Sequence, residues 1–248
     1  MAQRYKLIIE YDGTNYCGFQ KQFGIATKSV EEVLQKAIFQ LSQEQVKITA
    51  CGRTDTGVHA LGQVVHFDME KNLESRQVTL ALNSYLRNEN VMVLSCEMVN
   101  ENFHARFNAK MRHYRYVIIN RTAPLTIKKN QAWHVAKKLD VKKMQEAANF
   151  LIGEHDFSSF RDAECQGKTP VKSIAKITIV RNGEEILINA SARSFLHHMV
   201  RNIVGTLYLV GIEKMPPTQM KEILEAKDRT KSGPNAPACG LYFLEADY

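Results

Sequence analysis

The sequence has no apolar run near the roughly 18 residues that a membrane-spanning helix needs. Its opening, Met1-Ala2-Gln3-Arg4-Tyr5-Lys6, turns directly into an alternating pattern. It has neither the apolar stretch nor the small-residue cleavage site of a secretory leader. A cytoplasmic protein is expected. Cysteine is sparse: Cys17, Cys51, Cys96, Cys165 and Cys239 are odd in number, and no two have C-x-x-C spacing. A disulfide framework and a structural zinc site are therefore not expected, and free thiols are. Glycine and proline are also few, 13 and 6 in 248 residues, which excludes collagen-like and low-complexity chains. With 44% hydrophobic residues, the chain has ample material for a core and is not of the disordered class. Its length suits one large domain or two small ones.

Acidic residues are missing from one long stretch. Between Glu101 and Asp140 there are none, while Arg106, Lys110, Arg112, Arg115, Arg121, Lys128, Lys129, Lys137 and Lys138 all fall there. The formal net charge is +7, so the remainder of the chain is slightly acidic. Phe103, Phe107, Tyr114, Tyr116 and Trp133 are interleaved with the cations. A one-signed stripe with aromatics is the footprint of a nucleic-acid site: phosphates bind through counterion release, and flat rings stack on unpaired bases. The bland alternative is a solvated basic face that keeps the protein soluble.

The order of elements follows from periodicity. Tyr5, Leu7, Ile9 and Tyr11 alternate, which predicts a strand over 4–11. Asp12-Gly13 opens a loop to about Lys28. Ser29 with Glu32 forms a capping box before the apolar stripe Val30, Val33, Leu34, Ala37, Ile38 and Leu41. Strands are expected over 46–51 and 62–69, a weaker helix over 76–87, and a strand over 91–98. The second half repeats the order. It has a strand over 112–119 and a helix capped by Asp140, with Val141, Met144, Ala147, Ala148 and Leu151 inward. A hairpin over 171–180 and 185–193 surrounds Asn182-Gly183. Helices over 197–210 and 218–226 and a strand over 241–246 complete it. Each half reads β-α-β-β-α-β, the ferredoxin-like or RRM-like unit. The expected fold is α+β, two tandem units (1–104 and 105–248) fused into one body. Its sheet is mainly antiparallel, with a central cleft as the natural place for a site. No sequence-level repeat accompanies this order.

Chemistry concentrates in one loop, Cys51-Gly52-Arg53-Thr54-Asp55-Thr56-Gly57-Val58-His59-Ala60-Leu61-Gly62-Gln63. Three glycines there suggest tight, left-handed turns. A carboxylate with a cation two residues away is placed to stay ionised when a substrate excludes water, and such a group acts as nucleophile or electrostatic stabiliser. Capping of the turn by Thr54 and Asp55, with Arg53 in a surface pair, is the alternative reading. The adjacent His197 and His198 point apart on a helix. No carboxylate or cysteine has matching ligand spacing, so a structural role is expected rather than a metal site.

The string Gly52-Arg53-Thr54-Asp55-Thr56-Gly57-Val58-His59 resembles the signature of the bacterial tRNA pseudouridine synthase A (TruA) family. That family usually has alanine after the aspartate, where this chain has Thr56. Phe103-His104-Ala105-Arg106-Phe107 with Tyr114-Arg115-Tyr116 is similar to the same family. So are Phe195-Leu196-His197-His198-Met199-Val200-Arg201-Asn202, Gly240-Leu241-Tyr242, and Tyr11-Asp12-Gly13 with Phe19-Gln20. These segments follow the family's order across nearly the whole chain.

The resemblance implies an isomerase that converts uridine to pseudouridine at positions 38–40 of the tRNA anticodon stem-loop, with no cofactor and no metal. It implies a homodimer in which one tRNA contacts both subunits. Asp55 matches the catalytic aspartate. Attack at C1′, addition at C6 and removal of the C2′ proton all remain open for it. Tyr114 matches the tyrosine that stacks on the uracil and whose phenol is a candidate for taking the C5 proton. It shares a strand face with Arg112, Tyr116 and Ile118, so packing is its alternative role. Arg201 lies in an apolar helix and needs a partner; the resemblance implies Asp55, and a snorkelling head is the alternative. Arg53 is expected to fill the space that a flipped base vacates, and Leu241 to wall the uracil pocket or simply to face the core. The loop 13–28, with Lys21, Lys28, Tyr16 and Phe19 among glycines, reads from its residues as a mobile RNA-contacting loop, with an ordinary surface connection as the alternative.

Two other classes compete. A silent RNA-binding protein of two RRM-like units usually carries an aromatic K/R-G-F/Y-type strand motif, and no segment here has it. A nucleoside or glycoside hydrolase pairs two carboxylates across the bond; the Asp55 loop has one, and Asp68 falls at the far end of the next strand.

Overall fold

The computed structural model describes residues 2–22, 24, 26–162, 165 and 169–248. It divides into two compact units, Met1–Lys110 with Tyr242–Tyr248, and Met111–Leu241. The boundary expected between residues 104 and 105 lies six residues further on, and the closing strand clusters with the first unit rather than the second.

The first unit begins with β1 (Gln3–Tyr11), where Tyr5, Leu7 and Ile9 are fully buried as their alternation predicts. The helix α1 (Val30–Ser42) starts where Ser29 says it should: the Ser29 hydroxyl accepts from the Glu32 amide at 3.2 Å, and the Glu32 carboxylate accepts from the Ser29 amide at 2.9 Å. Its inward stripe Val30, Val33, Leu34, Ala37 and Ile38 is buried. The strand expected over 46–51 shrinks to β2 (Thr49–Ala50), while β3 (His59–Met69) is longer than expected. Then come α2 (Ser75–Leu86) and β4 (Val91–Val99). β1 lies between β4 and β3, antiparallel to both, with Tyr5 opposite Phe67 and their rings stacked 5.6 Å apart. β2 pairs antiparallel with β3 at Val65 and His66.

The second unit contains β5 (Met111–Asn120), β6 (Trp133–Val135), α3 (Val141–Asn149), β7 (Gly153–Asp156), β8 (Val171–Asn182), β9 (Glu185–Ala192), α4 (Met199–Gly211) and α5 (Gln219–Ala226). β5, β9, β8 and β7 pair antiparallel in that order, and β6 lies parallel to β5. Asp140 caps α3 through the Lys143 amide at 3.1 Å. The hairpin register puts Asn182 opposite Glu185, so the turn is Gly183-Glu184, with Gly183 at φ +61°. β6 and β7 were not expected: three or four residues are too few to show a period. The closing strand β10 (Leu241–Asp247) runs parallel to β3, Tyr242 opposite His59 and Phe243 opposite Ala60. The chain is thus α+β in two tandem units with mainly antiparallel pairing. Among the described residues no helix is long and apolar enough to cross a membrane.

Candidate active site

Asp55 opens a four-residue turn. The Val58 amide donates to the Asp55 carbonyl at 3.1 Å, and Gly57 takes φ +76°. A type II turn requires that conformation at its third residue, and glycine adopts it without strain. Thr56, the departure from the resembled family, occupies the second corner and is exposed. The hydroxyl and methyl groups by which threonine exceeds alanine are accommodated at the surface.

The turn is braced by residues distant in sequence. The Phe19 amide donates to the Thr54 carbonyl at 3.0 Å. Gly18, at φ +109°, comes so close that a Cβ would stand 2.7 Å from that carbonyl oxygen. The Gly13 amide donates to Nδ1 of His59 at 3.0 Å. The Tyr11 hydroxyl and the Thr54 hydroxyl share a buried hydrogen bond of 2.7 Å, and Nε2 of Gln63 donates to the Gly52 carbonyl at 2.7 Å. The loop is therefore tied at Gly52, Thr54 and His59, and the half-buried Asp55 is presented on a backbone with little freedom. Burial pushes the Tyr11 phenol up to about 12, and the charge of Asp55 adds to the effect. Tyr11 stays neutral near pH 7 and serves as a hydrogen-bonding prop, not a base.

Two other expected residues of the first unit have partners of their own. The exposed Arg53 donates to Oε1 of Gln20 at 2.8 Å. The Lys21 ammonium lies 3.5 Å from Glu32, and its amide donates to Glu31 at 2.9 Å, both in the first turn of α1. The loop 13–28 that carries Lys21 includes residues 23 and 25, which lie outside the described residues.

In the second unit, Tyr114 and Tyr116 point to the same face of β5 but differ in environment. Tyr116 is wholly buried. Its hydroxyl donates to the Pro237 carbonyl at 2.7 Å, and its ring packs directly on Gly240. Tyr114, nearer the strand's start, is half-buried, with its ring edge-on to Phe195 at 5.1 Å. The core role weighed for Tyr114 belongs to Tyr116.

Arg201 is the third residue of α4. Its Nε donates to the Ala236 carbonyl at 2.8 Å, and its own carbonyl accepts from the Ala236 amide at 3.2 Å. The strand of chain it grips is seated on the helix backbone: a Cβ at Gly205 would overlap the Pro234 carbonyl, and the Gly233 amide donates to the Thr206 hydroxyl at 2.9 Å. This strap leads through Pro237 and Gly240 to Leu241, which is buried. His198 precedes the helix at φ +59°, a left-handed conformation that histidine enters more readily than most non-glycine residues, and its Nδ1 lies 2.6 Å from the Asp162 carboxylate.

Sequence reasoning missed Tyr11 and Gln63 as supports of the Asp55 turn and gave Thr54 only a capping role. Tyr11 read as one more inward strand residue. Only its pairing with Thr54, 43 positions away, sets it apart.

The pattern of the family described as tRNA pseudouridine synthase matches residues 7–108 and 147–248, most of the chain. The chain belongs to that family. It is 51% identical over 245 residues to the tRNA pseudouridine synthase A of Anaplasma phagocytophilum (strain HZ), covering 99% of this chain and 100% of the relative. It is 50% identical over 246 residues to the protein of the same name from Anaplasma marginale (strain Florida), with the same coverage. Membership makes it an enzyme of the isomerase class, and its reaction is the conversion of uridine to pseudouridine in tRNA.

Proposed function

We propose that Asp55 is the catalytic carboxylate of this reaction, acting on an everted uridine at positions 38–40 of the anticodon stem-loop. The observation that carries the assignment is the turn Asp55–Val58, whose flanking residues Gly52, Thr54 and His59 are held by separate parts of the first unit. A rigid, half-buried carboxylate suits a reaction that must break the N1–C1′ bond and join C1′ to C5 without losing the base. The atoms balance within the nucleoside: N1 gains a proton and C5 loses one to solvent. Asp55 meets this demand by attack at C1′, by addition at C6, or by taking the C2′ proton. In this reading Tyr114 stacks on the uracil, and Arg201 keeps the carboxylate oriented and charged. Arg53 supports the stack that the base leaves, Leu241 offers an apolar wall, and Lys21 contacts RNA. The enzyme is read as a cytoplasmic homodimer that needs no cofactor or metal.

Release of tritium from tRNA labelled at uracil C5 tests the assignment. Asp55→Ala and Asp55→Asn are expected to lose at least the roughly 10²-fold that a positioned catalytic group contributes, with tRNA affinity largely retained. Near-normal turnover in Asp55→Asn would eliminate the mechanism. Transcripts with cytidine at all three positions are expected to release no tritium.

A further inference from the structure

The turn at 103–108 in the first unit presents an aromatic ring outward on a rigid base. Phe107 is 75% exposed, although it is a large apolar side chain. One side of its ring rests on the His104 imidazole, with centroids 4.3 Å apart and planes inclined by 29°. The His104 ring is itself pinned: its Nδ1 accepts from the Arg106 and Phe107 amides at 3.2 and 3.3 Å. The turn beneath is tied down at several points. Nδ1 of His66 accepts from the Ala105 amide at 3.1 Å, the Tyr248 hydroxyl donates to the Ala105 carbonyl at 2.6 Å, and Arg4 donates to the Phe103 carbonyl at 2.9 Å. The Asn108 amide donates to the His104 carbonyl at 3.0 Å.

An exposed phenylalanine on a mobile loop would be unremarkable. An exposed phenylalanine on a braced turn is a preformed surface, because little side-chain or backbone freedom remains to be lost when something lands on it. Its surroundings select the partner. The Arg106 guanidinium lies 5.9 Å from the ring centroid, and Lys110 follows on the exposed segment. No acidic residue occurs in sequence from Asn102 to Leu139. Arg4, which holds the Phe103 carbonyl at the base of the turn, also takes up the Asp68 carboxylate in a two-pronged ion pair. A flat ring beside a guanidinium in a segment without carboxylates matches an unpaired nucleobase and its phosphate better than it matches an apolar protein surface.

We infer that Phe107 and Arg106 form a stacking platform for one unpaired base of the bound tRNA, distinct from the uridine that reacts. The inference rests on tRNA being the substrate. Phe107 supplies the face, His104 holds it flat, and Arg106 meets the phosphate.

The test uses the full-length chain with Phe107→Ala, Phe107→Leu and Phe107→Tyr, and an unmodified tRNA transcript as probe. Fluorescence anisotropy at fixed salt gives Kd, C5 tritium release at saturating tRNA gives turnover, and sedimentation of the protein alone gives its oligomeric state. Ala and Leu are each expected to weaken binding about 5- to 150-fold, the loss of one stacked base. Tyr is expected to stay within about threefold, because it keeps the stacking face. Turnover at saturation and sedimentation are expected to match the parent enzyme. Leu binding as tightly as Phe, or Tyr losing as much as Ala, would overturn the platform. A change in sedimentation without a change in tRNA affinity would also overturn it and assign the ring to a protein interface. Absence of tritium release by the parent enzyme would instead defeat the functional reading, so the two failures are told apart.

Discussion

His66 shows how one residue's surroundings become a property of the fold. It is 5% exposed, its Nδ1 accepts from the Ala105 amide, and its ring lies 4.9 Å from that of His104. Burial, with the nearby charge of Arg4, lowers its pKa to about 4. His104 is lowered in the same direction by the same two causes. An unfolded histidine titrates near pH 6.5. Between that pH and about 4 the unfolded chain takes up protons that the fold refuses, so stability is complete above the window and falls as pH falls through it. Urea unfolding across this range is expected to show the decline. In His66→Gln, which cannot titrate, the slope is expected to be shallower even though the variant is less stable throughout. An equal slope in both proteins would place the proton uptake elsewhere. The site residues obey the same logic of surroundings. Arg201 read from sequence as an arginine in need of a partner, and the structure supplies one in the Ala236 carbonyl.

At the scale of elements, α1 carries the clearest local code. Its cap satisfies the Ser29 and Glu32 amides reciprocally, and the Ser29 amide is the main reason the Glu32 carboxyl sits below the usual range. Ser29→Ala is expected to destabilise the fold by about 1 kcal/mol, read as a shift in urea midpoint with no change in m-value. A larger loss with a changed m-value would mean that more than the cap had gone. This element was legible because every participant lies within four residues. The same holds for the Asp140 cap and for the hairpin turn near Gly183. Elements whose extent or existence depends on a neighbour were legible only in part or not at all. β2 survives over two residues only where β3 offers partners, and β6 exists because Ile118, Ile119 and Asn120 of β5 lie alongside it. The expected helix over 197–210 begins late because His198 takes a left-handed conformation first.

The molecule as a whole carries its positive charge unevenly, and the fold refines which cations are available to a polyanion. Arg121 pairs with Glu184 at 3.2 Å and Lys128 with Glu185 at 2.9 Å, whereas Lys129, Lys137 and Lys138 make no ion pair among the described residues. Replacing Lys128 and Lys129 together is expected to weaken tRNA binding and to flatten the slope of log Kd against log salt by about one unit per lost phosphate contact. Lys129→Ala alone is expected to account for most of that change, because Glu185 already offsets the charge of Lys128. A double variant with the parent's slope would show that this stretch does not touch RNA. Turnover at saturating tRNA, read alongside, is expected to match the parent enzyme, so the test separates affinity from chemistry.

The linear chain by itself determined the α+β order, the capped helix starts, the Asp55 turn and the family, because each depends on residues close together or on motifs of fixed spacing. Tertiary structure decided which tyrosine of β5 enters the core, which cations of the basic stretch are already paired, and that Tyr11, Thr54 and Gln63 hold the Asp55 loop. It also placed the closing strand beside β3. Those outcomes turn on strand register and burial, which bring together groups tens or hundreds of residues apart and leave no periodic trace in the chain.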